Sequence, residues 1–350
     1  MLALSDFDPD SLSQQLAAWG IPRTHAGRML RAFYRSGGEL DPNEIVLPKS
    51  MWARIGSDLK LRRSHIDRST LAADGTQKLL VALESGGAVE AVLMPAHWTD
   101  RAAGCVSSQI GCAMGCDFCA STRGGLERSL EAGEIVEQFL HLRRAALAMN
   151  RQLRTIVFMG MGEPMHNLEN VLAAVKRIAS PELGELGWRQ VTISTVGIVP
   201  GMDKLTQADL NVNLAVSLHA SDDATRSRLV PVNKRYPVAE ILAATRRFAE
   251  RSGRIPTIEY TLLEGVNDSD AQATLLASLL AGLRAHVNLI PYNPTGPGLS
   301  GVQYHRPPAE RIKKFLSILR EEKVVTHVRE TRGDDANAAC GQLRERALAE

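Results

Sequence analysis

Five cysteines hold most of the chemical potential of this 350-residue chain, and four of them, Cys105, Cys112, Cys116 and Cys119, fall within one short stretch. The last three form C-x3-C-x2-C in GCAMGCDFCA, after a strand-like CVSSQI and before a Gly124-Gly125 turn. Three soft thiolates on one loop can converge on a single centre, either zinc or an iron-sulfur cluster. A closed structural zinc site takes four ligands, usually two C-x2-C pairs. A [4Fe-4S] cluster held by three thiolates instead leaves one iron open to an outside ligand. Cys105 could complete a zinc site, but it lies beyond a strand, and its wider spacing favours the cluster. Cys340, alone in the small-residue stretch ANAACGQL, reads by itself as a buried structural thiol, the usual fate of a free cysteine. The odd cysteine count, with a start (MLALSDFDPDSLSQQ) lacking the basic-then-apolar order of a signal peptide, argues for metal or redox chemistry in a cytoplasmic protein.

Polar and small residues recur at the ends of apolar runs: GMGEP (160 to 164), ISTVGIVP (193 to 200), SLHA (217 to 220) and NLIPYNP (288 to 294). Singly they are unremarkable. Gly160 and Gly162 fit a strand-to-helix turn, Ser194 a helix cap, His219 a satisfied core histidine and Asn293 a turn residue before Pro294. GMG has neither the glycine spacing nor the lysine of a phosphate loop.

The elements that must position these residues alternate. Near-continuous apolar runs at 155–164, 190–197, 211–219, 257–267, 286–294 and 324–330 read as strands buried on both faces of a parallel sheet. Helical patterns lie between them. Residues 131 to 148 turn Ile135, Val136, Phe139 and Leu142 inward; PVAEILAATRRFAERSG starts at Pro237 and stops at Gly253; PPAERIKKFLSILRE carries the stripe Ile312, Phe315, Leu316, Leu319. The chain therefore reads as α/β, a full or partial (β/α) barrel, with a doubly wound sheet as the alternative. Residues 1–68 show short helices without a strand signal and read as a small accessory domain. Residues 69–100 read as a β-rich extension with a hairpin at Gly86-Gly87, and 101–350 as the core. Between residues 20 and 68, ten Lys or Arg face five acids, a local +5 inside a chain of net charge +2. A solvated helical face and an RNA-backbone patch explain that window equally well.

Taken in order, C-x3-C-x2-C, GMGEP, ISTVG, SLHA, YNP and TRGDDANAACGQL (331 to 343), together with CVSSQIGC, resemble the RlmN/Cfr family of radical S-adenosylmethionine RNA adenosine methyltransferases over nearly the whole chain. The resemblance implies a partial barrel of radical S-adenosylmethionine type. It also implies a [4Fe-4S] cluster on Cys112, Cys116 and Cys119, and two S-adenosylmethionines per turnover. Gly162, Glu163, Ser194, Ser217, Leu218, His219 and Asn293 match the cofactor-contacting positions. All fall at or just past strand ends, the face where a barrel gathers its site. By resemblance, Cys340 is methylated by one S-adenosylmethionine, loses a hydrogen from that methyl to a radical made from the second, and adds its methylene carbon to adenine. Cys105 is then the thiol that resolves the adduct, and Glu90, in AVEAVLMP, the proton acceptor.

Two departures stand out. Val196 occupies a position where the family has Ser. The spacing from Glu90 to Cys105 is also longer than the usual family form, with His97 and Trp98 as the extra residues. TRGDD before Cys340 resembles the branch that methylates adenine C2, with the C8-methylating branch as the alternative. The implied substrates are an adenosine of 23S rRNA and, in dual-specificity members, one beside a tRNA anticodon; Tyr292, Trp98 and the loop 294 to 301 are candidate RNA contacts. A reductant protein such as flavodoxin or ferredoxin, a monomeric state and no membrane complete the expectations. A zinc-stabilised, non-catalytic RNA-binding protein using Cys105 as fourth ligand is the rival from another class.

Overall fold

The computed structural model describes residues 2–97 and 100–343. At the N-terminus β1 (Leu2–Ala3) pairs in parallel with β2 (Leu59–Lys60), enclosing α1 (Pro9–Ala18), α2 (His25–Arg35) and α3 (Lys49–Arg54). Asp8 caps α1, its carboxylate accepting from the Ser11 amide at 2.8 Å, and Pro9 fills the first position, where its missing N–H costs nothing. Half of the ten basic residues of the 20 to 68 window, Arg35, Arg54, Lys60, Arg62 and Arg63, are spent in ion pairs, which favours the solvated-face reading for them.

An antiparallel meander follows: β3 (Ser64–Leu71), β4 (Gln77–Leu83) and β5 (Ala88–Pro95), the last two joined where Gly86 and Gly87 both adopt positive φ. The helical segment thus ends before residue 68. Its sequence hid β3 because that strand is a sheet edge, solvent-facing over much of its length, where polar Asp67 and Arg68 break the apolar signal.

From there the chain winds through β6 (Arg101–Cys105), the short antiparallel pair β7 (Gln109–Gly111) and β8 (Leu126–Ser129), α4 (Ala132–Ala148) and β9 (Gln152–Phe158). Next come α5 (Leu168–Ala179), β10 (Val191–Thr195), α6 (Val199–Gln207), β11 (Asn213–Ser217), α7 (Asp223–Leu229) and α8 (Val238–Ser252). The chain ends with β12 (Thr257–Leu262), α9 (Asp270–Leu280), β13 (His286–Pro291), α10 (Ala309–Glu321) and β14 (Val325–Val328). One sheet runs β14-β13-β12-β11-β10-β9-β6-β5-β4-β3, parallel from β6 to β14 and open at both edges. This is the partial (β/α) barrel. Every expected core strand is present; β10, β11 and β12 have no exposed residue and carry the apolar runs that identify them, whereas the edge strand β14 is mostly exposed.

Helices clasp the sheet through the expected residues. Ile135, Val136, Phe139 and Leu142 of α4 are all fully buried, each contributing about 1.5–3 kcal/mol. Phe139 also meets Tyr34 of α2 at 6.5 Å between ring centroids, so α4 carries the N-terminal helices on its back. Gly253 ends α8 in the left-handed region at φ 65. Among the described residues no helix is long and apolar enough to cross a membrane.

Candidate active site

The cysteine loop grows from the β7–β8 pair. Gly111 has φ +70, and a Cβ there would lie 2.0 Å from the Gly125 carbonyl oxygen, so only glycine closes this hairpin. The Cys112 amide donates to that same oxygen at 2.8 Å. Thr122 Oγ1 ties the carbonyls of Cys116 and Cys119, and the Asp117 amide donates to Leu229 of α7. The loop places Cys112, Cys116 and Cys119 on the wall of one cavity of about 140 Å³, open to solvent. Burial pushes the Cys112 thiol up to about 12 and that of Cys116 well above its ordinary value, with the neighbouring thiols adding to the effect. Neutral at ordinary pH, these thiols need a metal centre to displace their protons.

Among the described residues no three His, Cys, Asp or Glu side chains are grouped to hold a single metal ion. Three thiols spread around one cavity suit a cluster, where each takes a different iron. Cys105, the fourth ligand of the zinc reading, opens onto a different cavity, shared with Cys340.

The strand ends supply the opposite wall: Gly162 and Glu163 after β9, Ser194 on β10, Ser217 on β11, His219 just beyond it, and Asn293 after β13. Leu218 is the exception among the expected residues. Its side chain is fully buried in the core, and its carbonyl accepts from Arg226 Nε at 2.8 Å. Glu163 uses both carboxylate oxygens on backbone amides, Met165 at 2.9 Å and Val196 at 2.8 Å, tying the β9 and β10 loops together. Its pKa nevertheless stands at about 7, because burial outweighs those amides. Val196 works through its backbone, which explains why a side chain differing from the family form is accommodated there. His219 has φ 59, and its Nδ1 accepts from the Thr261 amide at 3.1 Å. Burial lowers its pKa to about 3, so the ring is neutral and that hydrogen bond leaves the proton on Nε2.

Cys340 lines both cavities, the cysteine-loop cavity and a second of about 60 Å³ that Cys105 also lines. The residue is accessible from the cavities, while protein packed around the thiol raises its pKa. Its carbonyl accepts from Asn293 Nδ2 at 3.3 Å, and Asn293 Oδ1 in turn accepts from Arg306 at 2.9 Å and Thr331 at 2.9 Å. Cys105, at the end of β6, pairs in register with Val92 of β5; burial pushes its thiol up to about 12. Glu90 lies two residues along β5 in an adjoining polar groove with Arg68, Arg123 and Asn337, and pairs with Lys78 at 2.9 Å. The structure therefore brings Cys105 to Cys340 but sets Glu90 beside them, across the 336–342 segment.

Three groups escaped the sequence reading. Glu259 of β12 lines both cavities and accepts from Asn288 at 2.9 Å. Asp117, inside the cysteine motif, accepts from the Ser300 amide at 2.7 Å, the Ser300 hydroxyl at 2.6 Å and the Tyr304 hydroxyl, latching the loop after β13 onto the cysteine loop. Arg226 is fully buried and bonds the Leu218, Val196 and Ser217 carbonyls. For Glu259 and Asp117 the local signal was polar character among apolar residues, whereas Arg226, in SDDATRSRL, carried none. The expected RNA contact Tyr292 is 2 % exposed, its hydroxyl meeting Thr295 Oγ1, so it shapes the cavity rather than a surface; Trp98 lies outside the described residues.

Comparison with known proteins gives a consistent result. Residues 106–277 match the model of the Radical SAM superfamily. The "Probable dual-specificity RNA methyltransferase RlmN 1" of Opitutus terrae is 54% identical over 342 residues, covering 98% of this chain and 96% of that protein. The corresponding RlmN of Symbiobacterium thermophilum is 43% identical over 97% of this chain and 90% of its own. The crystal structure of a radical SAM methyltransferase from Sphaerobacter thermophilus superposes with a TM-score of 0.93 at 44% identity, covering 98% of this chain and 99% of that one.

Proposed function

The chain belongs to the RlmN family of radical S-adenosylmethionine RNA methyltransferases, and from that premise we propose that it methylates adenine C2 in 23S rRNA and in a tRNA anticodon loop, with Cys340 as methyl carrier. One observation supports the proposal above the rest: Cys340 lines both the cavity of the three loop cysteines and the cavity of Cys105. A carrier must meet the source of its methyl group on one side and the thiol that releases it on the other.

Cys112, Cys116 and Cys119 would hold the [4Fe-4S] cluster, and the strand ends at Gly162, Ser194, Ser217, His219 and Asn293 would hold S-adenosylmethionine. Together these groups supply a transferable methyl and, on one-electron reduction, a carbon radical. The protein's part is placement. Neutral His219 offers only an Nε2–H donor, which suits a hydroxyl or carbonyl-like acceptor and leaves no cation to repel a sulfonium. Asn293 fixes the cavity wall and the Cys340 backbone with one side chain, so cofactor and carrier are held in register. Cys340 sulfur gives its electron pair to the methyl carbon and loses its proton, while the bond from that carbon to the sulfonium breaks and the donor sulfur leaves as a neutral thioether. Once the methylene carbon is bonded to adenine, Cys105 sulfur attacks Cys340 sulfur, forming a disulfide and breaking the bond between that sulfur and the methylene, whose carbon keeps the pair and takes up a proton to become the methyl group. Glu90, in the groove next to the 336–342 segment, is the candidate acceptor of the ring proton.

The test is a Cys105→Ala variant expressed with its cluster machinery. It should accumulate RNA covalently attached through the Gly333–Arg344 peptide, whereas wild-type protein should yield free RNA whose nuclease digest contains 2-methyladenosine. 8-Methyladenosine would move the assignment to the C8 branch, and unmodified RNA from iron-loaded wild type would overturn it.

A further inference from the structure

Among the described residues Arg226 stands out as a buried charge without an ion-pair partner. It is 0% exposed. Its guanidinium donates from Nε to the Leu218 carbonyl at 2.8 Å, from Nη1 to Asn233 Oδ1 at 2.9 Å, and from Nη2 to the carbonyls of Val196 at 2.6 Å and Ser217 at 3.1 Å. All four acceptors are neutral. Asp223, a carboxylate close enough to feel this charge, makes no ion pair with it and is engaged with Asn233 Nδ2 and the Val238 amide. A buried cation in such surroundings is strongly unfavourable, which is why buried charges are almost always paired or bind ions.

The helix that carries it meets the cysteine loop. Arg226 interacts electrostatically with Cys116, and the residues that follow it, through the Leu229 carbonyl, accept the Asp117 amide from inside the cysteine motif. A neutral thiol cannot balance a guanidinium. A thiolate can, and three thiolates around a metal centre would bring negative charge to this wall of the cavity. Val196 and Ser217, whose carbonyls the same guanidinium holds, line that cavity from the other wall.

We propose that Arg226 is a positioning residue that serves as the buried counter-charge of the cluster on Cys112, Cys116 and Cys119, while its remaining hydrogen bonds fix the ends of β10 and β11. The inference rests on the family reading that a cluster binds there. Reduction adds one electron, supplied by a low-potential donor, and so one further negative charge to the cluster. A fixed cation beside Cys116 favours the reduced state.

Charge and shape can be separated. Wild type, Arg226→Lys and Arg226→Met are purified anaerobically, reconstituted with iron and sulfide, and titrated with dithionite while the reduced cluster is followed by electron paramagnetic resonance. The midpoint potential should become more negative in Arg226→Met and stay near wild type in Arg226→Lys. If Arg226→Met loads no cluster while Arg226→Lys loads normally, the requirement for charge is upheld. An unchanged potential in Arg226→Met overturns the inference. So does failure of both variants to load while circular dichroism shows native helix content, which would make Arg226 a carbonyl clamp only. A wild type that takes up no iron would bring down the family reading itself, whereas a loaded wild type with an indifferent Met variant sinks this proposal alone.

Discussion

Replacing Asp117 with alanine is expected to release the loop 294–304 from the cysteine loop. The carboxylate is 6% exposed and receives three donors, the Ser300 amide, the Ser300 hydroxyl and the Tyr304 hydroxyl. Burial works against its ionisation, but those hydrogen bonds outweigh it and hold the group below the usual carboxylate range, so it is charged at neutral pH. Hydrogen bonds to a charged acceptor contribute roughly 1.5–3 kcal/mol each. Other tethers survive the change: Thr295 Oγ1 still donates to the Phe118 carbonyl at 3.1 Å and Arg123 to that of Pro297 at 2.8 Å. Counting the equivalent of one to two lost bonds gives about 3 kcal/mol for the local opening equilibrium, or ~100-fold. Native-state hydrogen exchange on peptides spanning 295–304 reads this directly: the Ser300 amide should exchange ~100-fold faster in the variant while β9 to β12 keep their protection. Exchange within about threefold of wild type would show that the latch holds nothing closed.

Two other consequences are open to test. His141 is fully buried at the junction of α4 and β3, its Nε2 3.0 Å from Ser64 Oγ, and burial with nearby Arg62 and Arg144 lowers its pKa to about 3. The unfolded chain therefore takes up this proton near pH 6.5 while the folded protein does not, so stability falls with pH below 6.5, by about 2 kcal/mol at pH 5. Glu137 beside it, raised by burial, works in the opposite direction, so the reading is the difference between wild type and His141→Gln in urea unfolding across pH 7 to 5; parallel profiles would refute it. Gly162 has φ +98, and a Cβ there would lie 2.5 Å from Gln109 Cβ; Gly162→Ala should lower stability by about 3 kcal/mol, and an unmoved urea midpoint would contradict the geometry.

The sequence disclosed what depends on local pattern. The central parallel strands announced themselves because they are buried along their length, and the loop cysteines because their spacing is itself a ligand pattern. β3 stayed hidden since an edge strand does not need apolar residues on either side. The meeting of Cys105 with Cys340 was legible only through resemblance: 235 positions apart, neither carries a local mark of the other, and Cys340 alone reads as a buried structural thiol. Asp117 and Arg226 were invisible for a related reason. Their roles come from partners on other elements, Ser300 and Tyr304 for one, the ends of β10 and β11 for the other. Tyr292 was misread as a surface residue because a Gly- and Pro-rich loop follows it, whereas that loop folds back and buries it.

The central claim is that Cys340 carries a methyl group which only the cluster-loaded enzyme can place there. The mass of the tryptic peptide from Gly333 to Arg344 tests it, in wild type and in Cys112→Ala produced side by side with cluster machinery. A peptide heavier by one methylene in wild type and unmodified in the variant is the expected result. An unmodified peptide from wild-type protein that contains iron and sulfide would contradict the account.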